Sequence, residues 1–429
     1  MKTTSYPAMG LTVKEHILTC PWDHSDPSGG NFDLYARELI PAGGEDLPVL
    51  VYLQGGPGFP APRPVDQTSG VIGEALKNYR VILLDQRGTG RSHRIDGNSP
   101  AEDRSVDRLE LLRQEHIVKD AELLREALGI TRWSLFGQSF GGFCITSYCS
   151  LFPESVEEAF LTGGLPTITS GIEDIYRTTF AAIRARHSAW YSRYPWADQR
   201  VREVAHHLDQ SDETLPTGER LSARRFRTIG INLGRGAGLH ELAYLLEDPF
   251  HQVAGEKRLR TDFLDTVCSH VSFAQGPLYW AIHESIYGGV VSDARTAWAA
   301  HRVREEIPGF EEQADPRSKD PYYLTGEHIF PWQCEEDPAL RLFGEAAGKL
   351  AQKTWRTSPY DVDVLAEKSP TSAAAVYYDD AFVPVEGSMV AASLYKDCRV
   401  HLTNEFQHDG IKWDGAALFR MLREKVREF

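Results

Sequence analysis

The hydrophobic positions of this chain change period several times, and those changes lay out its architecture. Two runs of alternating character, His16 to Cys20 and Phe32 to Leu39, flank the turn-rich stretch Asp23 to Gly30, the pattern of an antiparallel hairpin. Two unbroken apolar runs follow, Pro48 to Leu53 and Tyr79 to Leu84, and the lack of polar alternation predicts strands buried on both faces. The first ends in Gln54-Gly55-Gly56-Pro57-Gly58, through which neither helix nor strand continues. From about Asp107 to Gly129 leucines and isoleucines recur at helical spacing, with Glu and Arg on the other face and Gly129 as the stop. Trp133 to Phe136 is a further strand that runs directly into a glycine-flanked serine and then a helix.

Beyond Phe160 the composition changes. From about Pro166 to Thr357 the periodicity is helical, aromatic residues are frequent, and no comparable buried strand is found. The strand pattern resumes at Thr371 to Tyr378 and again at Asp397 to Thr403, and an amphipathic helix closes the chain from Gly415 towards Phe429. Strands alternating with helices predict an α/β fold whose central sheet is mostly parallel, with helices on both faces. The domain reading is a core in two parts, residues 1–165 and 358–429, with a mainly helical cap, 166–357, inserted between them.

Size and charge narrow the function classes. A chain of 429 residues suits one large domain with an insertion, and 41% hydrophobic with 25% charged residues is a globular balance. The 46 basic and 61 acidic residues give a net charge of -15, which disfavours nucleic acid or an anionic membrane as partner. No apolar run approaches the roughly 20 residues that span a bilayer. The N-terminal Met1 to Pro7 lacks the apolar centre of a signal peptide, so a cytoplasmic location is expected. Six scattered cysteines, without the short paired spacings of a zinc site, are expected to be reduced, and no metal or organic cofactor is expected.

The candidate chemistry centres on Gly137-Gln138-Ser139-Phe140-Gly141, a G-x-S-x-G sequence at the predicted strand-to-helix turn. Glycines two residues either side of the serine remove side chains that would collide in so tight a turn. A serine nucleophile needs a base and a third group to orient that base. Both follow later in the chain, each just beyond a predicted strand: an acid at Asp379 or Asp380, then His408 in a glycine-ended loop. Serine, acid, histidine is the chain order of α/β-hydrolases. The two adjacent aspartates are equivalent on this reasoning.

Four motifs taken together, Gln54 to Gly58, Asp85-Gln86-Arg87-Gly88-Thr89-Gly90-Arg91-Ser92, Gly137 to Gly142 and Phe406-Gln407-His408, resemble the proline iminopeptidases, most closely their longer bacterial branch. The commonest family form of the first motif begins with histidine; here Gln54 stands in its place and the glycines are kept. The resemblance implies an α/β-hydrolase fold and release of N-terminal proline from small peptides through an acyl-enzyme. It selects Asp380, four residues before Pro384, as the acid of a Ser139–Asp380–His408 triad. It also implies an oxyanion hole at the amides of Gly56 and Phe140. Asp85, Arg87 and Arg91 read as a loop-fixing network of charges.

A free N-terminus must be met by buried carboxylates, which in the family come from the cap. Glu284 and Glu327 sit among apolar and aromatic neighbours in two cap segments similar to the family pattern, with Phe330, Trp332 and Tyr287 nearby as walls for a proline ring. The alternative activity is an esterase or amidase acting on small neutral substrates, with a non-catalytic ligand-binding homologue further behind; epoxide hydrolases and dehalogenases would need an aspartate where Ser139 stands. Oligomeric state is not encoded in any of these features.

Overall fold

The computed structural model of the protein describes every residue except Ser292 and Phe429. Its strands are β1 (Lys2–Ala8), β2 (Leu11–Pro21), β3 (Asn31–Ile40), β4 (Val49–Leu53), β5 (Arg80–Leu84), β6 (Trp133–Gln138), β7 (Val156–Thr162), β8 (Phe250–Val253), β9 (Glu256–Leu259), β10 (Ser372–Tyr377) and β11 (Cys398–Thr403). Nine of them form one sheet in the order β1-β2-β3-β5-β4-β6-β7-β10-β11. The pairings from β5 through β11 are parallel, and the N-terminal strands β1 to β3 add on antiparallel.

The unbroken apolar runs are explained by the two faces of this sheet. Val49, Val51 and Leu53 of β4 enter the core shared with the helix Phe140–Leu151, whereas Leu50 and Tyr52 enter a second core against the helix Gly410–Arg427. With side chains alternating between faces, every position must be apolar when both faces are covered. Each fully buried Val or Leu contributes roughly 1.5–3 kcal/mol, so β4 alone anchors the sheet centre.

Several elements depart from the sequence reading, among them the central strand β7, which it did not predict. The edge strand β1 is almost wholly exposed and carries no hydrophobic pattern, so backbone pairing with β2 alone defines it. The expected helix from Asp107 to Gly129 breaks at Arg113, whose ψ of 164° is extended. The cause is tertiary: the Arg113 guanidinium is buried and donates to the carbonyls of Gly288 and Thr357 in the inserted segment. Within that segment β8 and β9 form a small, largely exposed hairpin around Ala254 and Gly255, whose φ values of 50° and 86° suit a two-residue turn.

After β7 the chain leaves the main sheet and rejoins it at β10. The intervening residues are mainly helical, the longest helix being Ile172–Arg193. Among the described residues no helix is long and apolar enough to cross a membrane.

Candidate active site

The strand β6 ends at Gln138 and the next helix begins at Phe140, leaving Ser139 alone at the bend with φ 55° and ψ -125°. Such a conformation costs a non-glycine residue on the order of 1–3 kcal/mol and must be imposed by its surroundings. Here the Ser139 amide donates to Thr162 O at 3.0 Å, and the Gly142 amide donates to Ser139 O at 2.8 Å. The flanking glycines are required by close approach: a Cβ on Gly141 would lie 2.0 Å from Leu53 O, and one on Gly137 2.4 Å from the Gly141 carbonyl carbon.

The loop after β10 presents its two aspartates oppositely. Asp379 is exposed, whereas Asp380 is buried and its Oδ2 lies 2.8 Å from His408 Nδ1. The other oxygen, Oδ1, accepts from the amides of Phe382 and Val383 at 2.8 and 3.0 Å, which fixes the carboxylate. Burial alone would lower the His408 pKa, but the adjacent Asp380 charge and hydrogen bond, with Glu327 further off, hold it above the ordinary value. The His408 ring also packs against Phe382 at 4.8 Å between centroids. The other ring nitrogen, Nε2, lies 3.3 Å from the side-chain nitrogen of Gln138, a neighbour with no role assigned from the motif.

Ser139, His408, Gly55 and Gly56 line one cavity of about 720 Å³, within the range of small-ligand sites. Gly56 takes φ 132°, open only to glycine, and Phe140 is the first residue of its helix, so its amide is among those with no partner inside the helix. The loop after β5 is held as the sequence suggested by charge pairing. Asp85 accepts from Arg63 and from the amides of Ala61 and Arg91, and buried Arg87 makes a two-pronged pair with Asp120 at 2.6 and 2.7 Å.

The inserted segment supplies Glu327, which also lines the cavity. Its Oε1 accepts from Tyr279 Oη at 2.7 Å. Burial pushes this carboxyl up, opposed by the nearby charges of His408 and Arg235 and by the tyrosine hydrogen bond. The other four cap residues expected at the substrate are placed elsewhere. Glu284 is buried with its two oxygens accepting from the Ala299 and Ala300 amides, both at 3.0 Å, at the start of the helix Ala299–Arg304. Burial, the leading influence, pushes its carboxyl up to about 7 against those amides. Phe330 and Trp332 stack on each other and are covered by Arg304 and Arg224, and Tyr287 packs between Phe143 and Tyr176. None of the four is among the described residues lining the cavity; Phe59, Phe273, Tyr279 and Phe382 supply its aromatic wall. Of these, Tyr279 stands five residues before Glu284 and Phe382 between Asp380 and Pro384, but nothing in their spacing separates wall from core.

Among the described residues no three or more of His, Cys, Asp and Glu are grouped as a metal ion would require. The site brings together a strained serine, a histidine held by a buried carboxylate, amides at a glycine loop and a helix start, and a second carboxylate on the cavity wall.

Residues 48–252 match a family model described as the alpha/beta hydrolase fold. A proline iminopeptidase of Aeromonas sobria is 39% identical over 426 residues, covering 97% of each chain. A proline iminopeptidase of Aspergillus aculeatus is 28% identical over 431 residues, covering 96% of this chain and 94% of that one.

Proposed function

Because the chain belongs to the proline iminopeptidase family of the α/β-hydrolases, we propose that it is a serine exopeptidase releasing proline from the N-terminus of small peptides. In this reading Ser139 Oγ attacks the carbonyl of the N-terminal residue while His408 Nε2 takes its proton, and Asp380 keeps Nδ1 as the protonated nitrogen. The negative charge that develops on the carbonyl oxygen is met by the amides of Gly56 and Phe140. His408 then returns the proton to the departing amine, which leaves a prolyl ester on Ser139. A water, deprotonated by the same histidine, hydrolyses that ester and frees proline.

The observation that carries the substrate assignment is the Glu327 carboxylate in the same cavity as Ser139 and His408, flanked by Tyr279. A partly buried carboxylate without a basic partner within ion-pair distance, among the described residues, is suited to the secondary ammonium of an N-terminal proline. The aromatic wall of Phe59, Phe273 and Phe382 offers apolar surface to a pyrrolidine ring. Residues 166–357 then act as the cap that carries Glu327 over the core. We place the protein in the cytoplasm, which suits its six free cysteines.

The test compares a proline arylamide with its N-acetylated form. A preference of at least a hundredfold in kcat/KM for the free amine is expected. Equal rates would favour a general amidase or esterase instead.

A further inference from the structure

The described part of the chain forms many ion pairs, yet two cations on the cavity wall have none. Arg235 and Lys412 both line the cavity that holds Ser139, and neither has a carboxylate within 4.0 Å among the described residues. The guanidinium of Arg235 makes a single side-chain hydrogen bond, from Nη1 to Asn232 Oδ1 at 3.0 Å, which orients it and leaves its remaining N–H groups without a protein acceptor among the described residues. An arginine fork left open in this way matches the geometry of a carboxylate.

The position of Arg235 is tied to the catalytic loop. The His408 amide donates to Gly234 O at 3.3 Å, and the Gly236 amide donates to Asp409 Oδ1 at 2.8 Å, so the residues on both sides of Arg235 are fastened to the histidine and its neighbour. Arg235 is also close enough to Glu327 and Tyr279 for its charge to be felt at both, though it does not pair with the glutamate. Two opposite charges therefore face one cavity at a separation above ion-pair distance. A short peptide is a zwitterion with its charges at opposite ends, and a dipeptide spans roughly 7 Å between them. The remaining charges of the wall, Asp265 and Asp409, are anionic and would repel a carboxylate, which leaves Arg235, with the exposed Lys412, to donate to it.

We propose that Arg235 is a specificity-determining residue that binds the C-terminal carboxylate of a short substrate, so that the enzyme favours prolyl dipeptides over longer or C-terminally blocked peptides. The inference rests on the exopeptidase reading. Glu327 would hold the amine, Arg235 the carboxylate, and the bond between the two residues would be presented to Ser139.

The experiment measures kcat/KM for Pro-Ala and for Pro-Ala-amide with the wild-type enzyme, R235A and R235K. Wild type is expected to favour the free acid by about 10- to 100-fold, the scale of a charge-assisted hydrogen bond. That ratio should fall at least tenfold in R235A and recover in part in R235K. A wild-type ratio near one overturns the proposal without any variant, and so does a ratio unchanged in R235A. A merely structural arginine would lower both substrates together and leave the ratio intact. Failure of wild type to release proline from either peptide would instead overturn the exopeptidase reading, and this subsite with it.

Discussion

Replacing Glu327 by Gln removes one negative charge while keeping the side chain's shape and an oxygen that can still accept from Tyr279 Oη, now 2.7 Å from Oε1. Two unit charges about 4 Å apart at an effective dielectric of about 20 attract by about 4 kcal/mol, and part of that is consumed in stripping water from the substrate amine. A net loss of about 1.5–3 kcal/mol is the scale for a hydrogen bond to a charged group, which corresponds to about 10- to 150-fold in kcat/KM. The assay is stopped-flow or steady-state hydrolysis of a proline arylamide beside a neutral ester such as p-nitrophenyl acetate, both at pH 8. The arylamide should lose that factor and the ester less than threefold. A second readout is independent of binding: the Glu327 charge helps to raise the His408 pKa, so E327Q should move the acid limb of the ester's pH profile to lower pH. Equal losses on both substrates, with an unmoved acid limb, would refute amine capture by Glu327.

D380N should lower kcat by about 10³- to 10⁴-fold, since the histidine loses its tautomer-fixing partner, and the arylamidase assay with a folded variant checks it. Burial raises the Glu284 carboxyl from 4.5 to about 7, so its contribution to stability is fully present below about pH 4.5 and is lost as pH rises through 7. The shift corresponds to about 3 kcal/mol, and melting temperatures between pH 5 and 8 should show a fall that flattens in E284Q. A Cβ on Gly348, mid-helix in Gly344–Ala351, meets nothing within 4 Å; G348A should raise stability by about 0.5–1 kcal/mol, whereas G141A should not give soluble protein, both read by denaturant or thermal melts.

What was legible in the sequence follows what local pattern can encode. The buried strands β4, β5 and β6 are legible because both faces are covered and their centres are apolar: all of β4, Val81 to Leu84 of β5, and Leu135 and Phe136 of β6. The elbow was legible because two glycines are demanded by backbone contacts at 2.0 and 2.4 Å. Asp379 and Asp380 could not be separated by pattern, since only the tertiary fold turns one outwards and the other towards His408. The cap was hardest to read. Glu284 and Glu327 have the same kind of neighbours in sequence, yet one caps a helix and the other faces the cavity, and that difference is decided by packing between segments far apart in the chain. Phe330 and Trp332 look like a ligand wall by composition, but buried Arg304 stacks on the one and half-buried Arg224 on the other. Arg235 carries no signal in a chain rich in arginine, because only the fold shows that, among the described residues, no carboxylate lies within 4.0 Å of it.

The central claim is that Ser139, activated by His408 and Asp380, releases N-terminal proline. It is tested most directly by measuring hydrolysis of a proline arylamide with wild type and S139A, each verified as folded by its melting curve. Wild type should turn the substrate over, and S139A should lose about 10⁴-fold or more in kcat. An S139A enzyme retaining activity within tenfold of wild type would contradict the account.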